Sequence, residues 1–208
     1  MCTRFFIDVS NEELQEITGR AEHSVLMERF RMRGPARLIS SGEVFPTNIT
    51  AVIAPNPKGN AQVYPMHFGF RMQEGRPPIL NARVETAAEK PAFRDAWNAH
   101  RCVVPCSYYF EWEHLKDSAG KVITKDKYLI QPAGEEITWL GGLYRIRDGL
   151  PEFVILTREP ADALRRIHDR MPLLLSREAL ADWLRPDRKP EDLLPSALTE
   201  VYFEKTAG

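Results

Sequence analysis

Short segments rich in β-branched and aromatic residues recur along most of this chain, and they constrain its fold more than any other feature. Proline, glycine and asparagine separate these segments, as they separate strands in sheets. Because few βαβ units alternate along the chain, the sequence predicts an α+β fold with a mainly antiparallel curled sheet or β-barrel-like core and flanking short helices. The strand-like segments are CTRFFIDV (2–9), ITAVIAP (49–55), NAQVYPMHFGF (60–70), PILNARVE (78–85), RCVVPCSYYFEWEHL (101–115), KYLIQP (127–132), ITWLGGLYRI (137–146), EFVILT (152–157) and MPLLL (171–175).

Helical patterns are short and lie between the strand-like segments. Ser10 and Glu13 match a capping box, which predicts a helix from about Asn11 to Ala21. Three further helices are expected over 91–100, with proline in the first turn, near 161–165, and over 176–184, with a serine N-cap.

Composition indicates a globular protein with one substantial core. The chain has 208 residues, of which 43% are hydrophobic and 27% charged, so a single domain over 1–208 is expected. A formal net charge of -1 argues against broad attraction to nucleic acid, so a polyanion would need a local cluster of Arg and Lys. Three cysteines form no disulfide framework, and no signal peptide or membrane span is evident, which predicts a cytoplasmic protein without a membrane partner.

Cys2 is the first candidate for chemistry, because removal of Met1 would leave an α-amine and a thiol on adjacent carbons. The amine, with an ordinary pKa near ~8, condenses with an aldehyde, and the thiol then closes a five-membered thiazolidine ring. Tethering of the two nucleophiles makes the second bond fast and the adduct durable. The alternative is that Cys2 is a small apolar residue at the start of a core strand.

Two titratable side chains stand out in apolar surroundings. Glu111 lies between Phe110 and Trp112, and strand alternation sends it to the face opposite both aromatic rings. If that face is shielded from water, the pKa of the carboxyl rises and the group exchanges protons near neutral pH; otherwise Glu111 lies on a solvated face. His168 precedes a hydrophobic strand, where an imidazole either shuttles protons or serves a structural role.

Asn81 and Arg83 project from one face of a predicted strand. Arg83 is suited to hold a phosphate while Asn81 orients a reacting group, although a surface salt bridge is the plain alternative for Arg83. Cys102 and Cys106 form a C-x3-C pair without a second pair at metal-ligand spacing, so they are interpreted as core residues. No metal site and no cofactor are predicted.

Several of these motifs occur in an order that resembles a known family. MCTRF, PTN, NARVET, the PCSYYFEW segment and ILTREPADALRRIHDRMP are similar to the successive motifs of the SOS response-associated peptidase (SRAP) family, the abasic-site processing proteins. The similarity covers residues 1 to about 184 and leaves 185–208 as a tail that packs on the domain or extends from it. It implies a compact α+β domain that binds single-stranded DNA and forms a thiazolidine crosslink with the ring-opened abasic deoxyribose.

The resemblance also implies roles for individual residues. Cys2 is then the crosslinking nucleophile, Asn81 holds the amine or the adduct, and Glu111 and His168 transfer protons. The DNA-binding residues that it implies are Arg4, Phe68, Arg83 and Lys90. Single-stranded DNA with abasic sites is the implied partner, and the protein is expected at the nucleoid when bound to DNA. A monomer is expected, because one domain holds every proposed group.

Three positions depart from the family pattern. Thr3 stands where the family usually has Gly, and it restricts the backbone beside the nucleophile. Phe68 stands where a tryptophan is common, which predicts a smaller platform for stacking on a base. Lys90 and Pro91 replace an arginine of some members, which predicts that a phosphate contact moves to Lys90 or Arg94 or is absent.

Two other functions remain open at the level of sequence. The first is a thiol peptidase in which His168 activates Cys2 and Asn81 orients the imidazole or the oxyanion, with Met1 of the same chain as the narrowest substrate. The second is a noncovalent module for single-stranded DNA, in which aromatic side chains stack on bases and Cys2 only packs.

Overall fold

Strands make up most of the regular structure. The computed structural model describes residues 2–73, 75–117 and 121–206. The strands are β1 (Phe5–Ile7), β2 (Gly42–Val44), β3 (Ile49–Pro55), β4 (Ala61–Phe68), β5 (Asn81–Arg83), β6 (Arg101–Cys106), β7 (Tyr108–Lys116), β8 (Val122–Pro132), β9 (Thr138–Arg147), β10 (Leu150–Arg158), β11 (Met171–Pro172), β12 (Leu174–Leu175) and β13 (Val201–Lys205). The helices are α1 (Glu12–Glu22), α2 (Val25–Met32), α3 (Arg94–Ala99), α4 (Ala179–Leu184) and α5 (Pro190–Leu193), with 3-10 turns at Asp162–Leu164 and Leu194–Ser196.

Five of the strands close into a barrel-like ring. The order of pairing is β10, β4, β3, β6 and β9, and β9 pairs with β10 again. β10 runs parallel to β4 and β5, whereas the other pairings between these strands are antiparallel. The predicted α+β fold with a mainly antiparallel, barrel-like core and short helices is therefore confirmed.

A second sheet brings the start of the chain against the barrel. Its order is β13, β8, β7, β1 and β2, with antiparallel pairing throughout. Cys2 shares a buried apolar cluster with barrel side chains such as Phe68 and Phe153 and with Phe5 of the second sheet. This cluster fixes the N-terminal segment between the two sheets, where a terminus would otherwise fray.

The C-terminal segment packs on this framework. Arg101, only 2% exposed, donates from Nε to the carbonyl of Trp183 at 2.7 Å and also bonds the carbonyls of Arg185 and Arg188. Strand β13 adds to the edge of the second sheet by pairing with β8. These contacts hold parts of the segment after Trp183 against Arg101 and strand β8.

Several element boundaries differ from the sequence prediction. Asn11, not Ser10, is the N-cap of α1, because its Oδ1 accepts the amide of Leu14 at 3.1 Å. Helix α3 begins at Arg94 after a series of turns, so Pro91 lies before it and not in its first turn. Helix α2 was not predicted. In the part of the chain that is described, no helix has both the length and the apolar character that crossing a bilayer requires.

Candidate active site

Cys2 lies three residues before the first strand, and it is nevertheless fully buried. The Nδ2 amide of Asn81 donates to the Cys2 carbonyl at 2.9 Å. Asn81 is held in place because β5 pairs in parallel with β10, where Asn81 lies opposite Ile155. A side-chain amide on the barrel thus fixes the backbone of the residue that carries the thiol.

The surroundings of the Cys2 thiol favour its protonated form. Burial raises the pKa of Cys2 well above its usual range, and the nearby carboxyl of Glu111 adds to this effect. Sγ lies 3.9 Å from the carbonyl oxygen of Arg4, and a hydrogen bond with the Arg4 backbone offsets part of this rise. At neutral pH the sulfur therefore keeps its proton until another group assists.

Glu111 lies on the central part of β7, and only 3% of it is exposed. Burial raises the pKa of this carboxyl to about 7. The solvated alternative for Glu111 is therefore wrong, and the carboxyl is able to donate and accept a proton at neutral pH. Such a value is typical of catalytic acids and bases, although buried structural carboxyls also reach it.

His168 faces Glu111 from the turn that follows the 3-10 segment Asp162–Leu164. Its Nε2 is 4.0 Å from Oε2 of Glu111, which is too far for a direct hydrogen bond but is spanned by one water or one substrate hydroxyl. Burial lowers the pKa of His168, while the carboxylate of Asp169 opposes that shift. At neutral pH the proton of this pair is thus held by Glu111 more than by His168, so the contact is not an ion pair.

The other ring nitrogen of His168 has two neighbours. Nδ1 lies 3.1 Å from the amide nitrogen of Arg170 and 2.7 Å from Oδ1 of Asp169. When Nδ1 accepts the amide hydrogen of Arg170, the hydrogen of the neutral ring is on Nε2. When Nδ1 carries the hydrogen, it donates to Asp169 and leaves Nε2 able to accept a proton. Either arrangement keeps Nε2 directed toward Glu111.

A pocket of about 370 Å³ opens beside these groups. The residues that line it are Thr3, Arg4, Glu111, Trp112, His114, Lys125 and His168. Sequence reasoning did not single out His114 and Lys125. They lie opposite each other on β7 and β8, and only the register of that hairpin, which the sequence does not fix, brings Lys125 to the pocket.

The predicted DNA-binding residues differ in their placement. Arg4 lies at the pocket, where its guanidinium is 3.4 Å from Glu43 and stacks over the rings of Phe45 and Trp112. Arg83 ends β5 on the same side of the strand as Asn81, and it is exposed. Lys90 is exposed in the turns before α3.

The prediction that Phe68 forms a stacking platform is wrong. Its side chain is 0% exposed and lies within the barrel, stacked on Phe153 with ring centroids 4.9 Å apart. A base cannot reach a ring in that position. Trp112, which is half-buried at the pocket, and Phe45, which is 41% exposed, are the aromatic rings next to Arg4 that remain accessible.

The described residues offer little for a metal ion. Within them, no group of three or more His, Cys, Asp or Glu side chains is arranged to hold one. Cys102 and Cys106 are both buried, as free thiols, in the apolar cluster that contains Cys2.

Comparison with known proteins places this geometry in context. The chain is 35% identical over 125 residues to the abasic site processing protein YoaM of Bacillus subtilis. This alignment covers 58% of this chain and 53% of that protein. It is 32% identical over 116 residues to the abasic site processing protein YedK of Escherichia coli, covering 54% and 50% of the two chains. The chain thus spans about half the length of the curated relatives that it matches.

Solved structures share the fold over the whole chain. A crystal structure of a protein from Bacteroides thetaiotaomicron superposes with a TM-score of 0.70 at 21% identity, covering 100% of this chain and 93% of the other. A phage-related protein from Bordetella bronchiseptica superposes with a TM-score of 0.72 at 20% identity, covering 100% and 95%. A family model described as "SOS response associated peptidase (SRAP)" matches residues 1–206. With a match over nearly its whole length, the chain belongs to the SRAP family.

Proposed function

We propose that this protein processes abasic sites in single-stranded DNA by forming a covalent thiazolidine between Cys2, after loss of Met1, and the opened deoxyribose. The observation that carries the proposal is the placement of Asn81, Glu111 and His168 around the start of the chain. Asn81 is bonded to the Cys2 carbonyl at 2.9 Å, and Glu111 and His168 line the adjoining pocket 4.0 Å apart. The names of the relatives support abasic sites as the substrate class.

The reaction begins at the sugar. An abasic deoxyribose is mostly a closed hemiacetal, so one group must take the proton from its hydroxyl and another must protonate the ring oxygen. His168, neutral at neutral pH with its ring hydrogen on Nδ1 beside Asp169, takes the proton at Nε2, and Glu111, with a pKa of about 7, protonates the ring oxygen. The opened aldehyde then accepts the α-amine of Cys2.

Ring closure completes the adduct. As the amine adds, His168 gives its proton to the carbonyl oxygen and Glu111 takes one from the nitrogen, which forms a neutral carbinolamine. Glu111 then passes that proton to the departing hydroxyl and takes the remaining nitrogen proton, so water leaves and a neutral imine forms. The Cys2 sulfur adds to the imine carbon, the π pair moves to nitrogen, and the thiol proton ends on that nitrogen. The amine bond is thus made first and needs no thiolate.

The thiol peptidase alternative receives less support. A cysteine peptidase requires a thiolate as the nucleophile in its first step, which a lowered thiol pKa supplies. Here burial and Glu111 raise the pKa of Cys2 instead. A reaction in which the amine attacks before the sulfur fits these surroundings better than a peptidase reaction that begins with a thiolate.

DNA contacts are proposed for three cationic side chains. Arg4 lines the pocket itself, and Arg83 and Lys90 are exposed cations suited to flanking phosphates. Trp112 and Phe45 replace Phe68 as candidates for stacking on a base. A monomer suffices for the reaction, because one chain carries every proposed group.

Intact-mass analysis of the Met-processed protein after incubation with an abasic oligonucleotide tests this function. A stable adduct of one protein and one oligonucleotide is expected for the wild type, and none for Cys2→Ala. Cys102→Ala is the matched control, because it removes another buried thiol and leaves the chain start intact. Equal crosslinking by Cys2→Ala would refute the proposal, and salt-sensitive binding without any adduct would favour the noncovalent module.

A further inference from the structure

Tyr109 carries a buried hydroxyl that the steps above do not use. Its side chain is 0% exposed, and the phenol oxygen has no hydrogen-bond partner among the described residues. A buried hydroxyl without a partner destabilises a fold, so phenylalanine would suit this position better if packing were the sole requirement. The hydroxyl is therefore available to a neighbouring group that moves or gains negative charge during the reaction.

The backbone places this hydroxyl on the catalytic side of the second sheet. Tyr109 and Glu111 are two residues apart on β7, so both project from the same face. Tyr109 lies opposite Phe5 of β1 and belongs to the same buried cluster as Cys2. Its neighbour Tyr108 projects from the other face, where it stacks on Phe6 with centroids 5.1 Å apart.

The side chains beside the Cys2 sulfur disfavour negative charge on it. Besides burial, Glu111 and Cys106 raise its pKa, and a hydrogen bond with the backbone of Arg4 offsets part of that rise. Negative charge nonetheless develops on sulfur as it attacks the imine carbon. A neutral hydroxyl donor stabilises that charge in a buried site without adding a charge of its own.

We propose that Tyr109 is a further catalytic residue, whose hydroxyl donates a hydrogen bond to the Cys2 sulfur while the thiazolidine ring closes. This inference rests on the proposed function. The C–S bond forms, the π pair of the C=N bond moves to nitrogen, and the thiol proton ends on that nitrogen, so Tyr109 neither gains nor loses a proton. Burial raises the pKa of Tyr109 well above its usual range, which keeps the hydroxyl in the donor form.

The experiment compares Met-processed wild type, Tyr109→Phe and Tyr108→Phe. The probe is formaldehyde, whose adduct with an N-terminal cysteine is a thiazolidine that survives removal of free aldehyde. The open imine and the closed ring have the same mass, so free aldehyde is removed from each time point before intact mass is measured, and only the ring persists. The rate is followed at several pH values, and thermal unfolding reports stability. Tyr109→Phe is expected to close the ring at least about tenfold more slowly, the loss of one hydrogen bond to a charged group. Its rate profile should move to higher pH, and its unfolding temperature should equal or exceed that of the wild type.

The matched control and the DNA reaction separate the possible failures. Tyr108→Phe removes a hydroxyl from the opposite face and should react like the wild type. Ring closure at the wild-type rate in Tyr109→Phe would overturn this inference, and so would a failure of both proteins to form the thiazolidine. The proposed function fails by a different result, namely equal DNA crosslinking by Cys2→Ala. A slower Tyr109→Phe variant that also unfolds at lower temperature would point to packing and count against the catalytic role.

Discussion

Replacing Glu111 by glutamine tests the central electrostatic claim about the site. Burial raises the pKa of this carboxyl from an ordinary 4.5 to about 7, so the folded protein holds the proton more tightly than the unfolded chain does. One pKa step corresponds to ~1.4 kcal/mol, which makes the ionised carboxyl cost about 3 kcal/mol of stability at high pH. Glutamine has nearly the same shape and never ionises, so Glu111→Gln should remove that cost.

The sign and the pH range follow from the two pKa values. Because the folded-state pKa is raised, the contribution of Glu111 to stability is fully present below about 4.5 and is lost as pH rises through about 7. The two proteins should have similar free energies of unfolding near pH 5. The glutamine variant should then gain on the wild type by roughly 2 to 3 kcal/mol up to about pH 8.5. Urea denaturation at a series of pH values measures this difference.

Glu113 supplies the matched control. It lies two residues along the same face of β7, but its carboxylate accepts from Tyr128 and Arg166, both at 2.9 Å. Glu113→Gln weakens these bonds, so this variant should show no gain over the wild type as pH rises. A difference between Glu111→Gln and the wild type that stays constant from acid to alkaline pH would refute the account of Glu111. So would a glutamine variant that is less stable than the wild type at pH 8.5.

Three further outcomes are expected. Phe68→Ala should lose about 3 to 5 kcal/mol of unfolding free energy in urea titrations, because it leaves a cavity in the barrel, whereas a surface stacking residue would lose little. Arg101→Met should destabilise the protein by at least about 3 kcal/mol and expose the segment after Trp183 to limited proteolysis, since several carbonyls lose their donor. Asn81→Ala should slow crosslinking to abasic DNA about tenfold, as timed by intact mass, because the Cys2 carbonyl loses its bond, and a wild-type rate would contradict that role.

Local pattern predicted the strands well but not where the chain changes sheets. The segment 101–115 reads as one strand with a break at Pro105. In the structure Pro105 stays within β6, opposite Trp139, and the break falls at Ser107. The amide of Ser107 donates to Phe6 at 2.8 Å, so the chain leaves the barrel there and joins β1. The passage of the chain from the barrel to the second sheet depends on pairing with β1, which lies about 100 positions earlier. The local sequence around Ser107 does not predict that pairing.

The candidate site was predicted in part for a similar reason. Alternation separates Glu111 from Phe110 and Trp112, but it does not say which face of β7 meets the barrel. Burial of Glu111 follows from packing of the second sheet against the barrel, and the pairing of His114 with Lys125 follows from hairpin register. The prediction that Phe68 is accessible was wrong because β4 is a barrel strand. The side chains of β4 that point into the barrel, including Phe68, form its core.

One physical cause arranges the protonation of the site. Removal from water raises the pKa of Cys2, raises that of Glu111 to about 7 and lowers that of His168. At neutral pH this leaves a thiol, a carboxyl that both gives and takes a proton, and a neutral imidazole. These are the forms that capture of an aldehyde by the amine requires. His168 must accept a proton, Glu111 must donate one, and the sulfur must react only after the imine has formed. Solvating the pocket would undo all three together, so substitutions that open it should slow the reaction more than the loss of any single contact predicts.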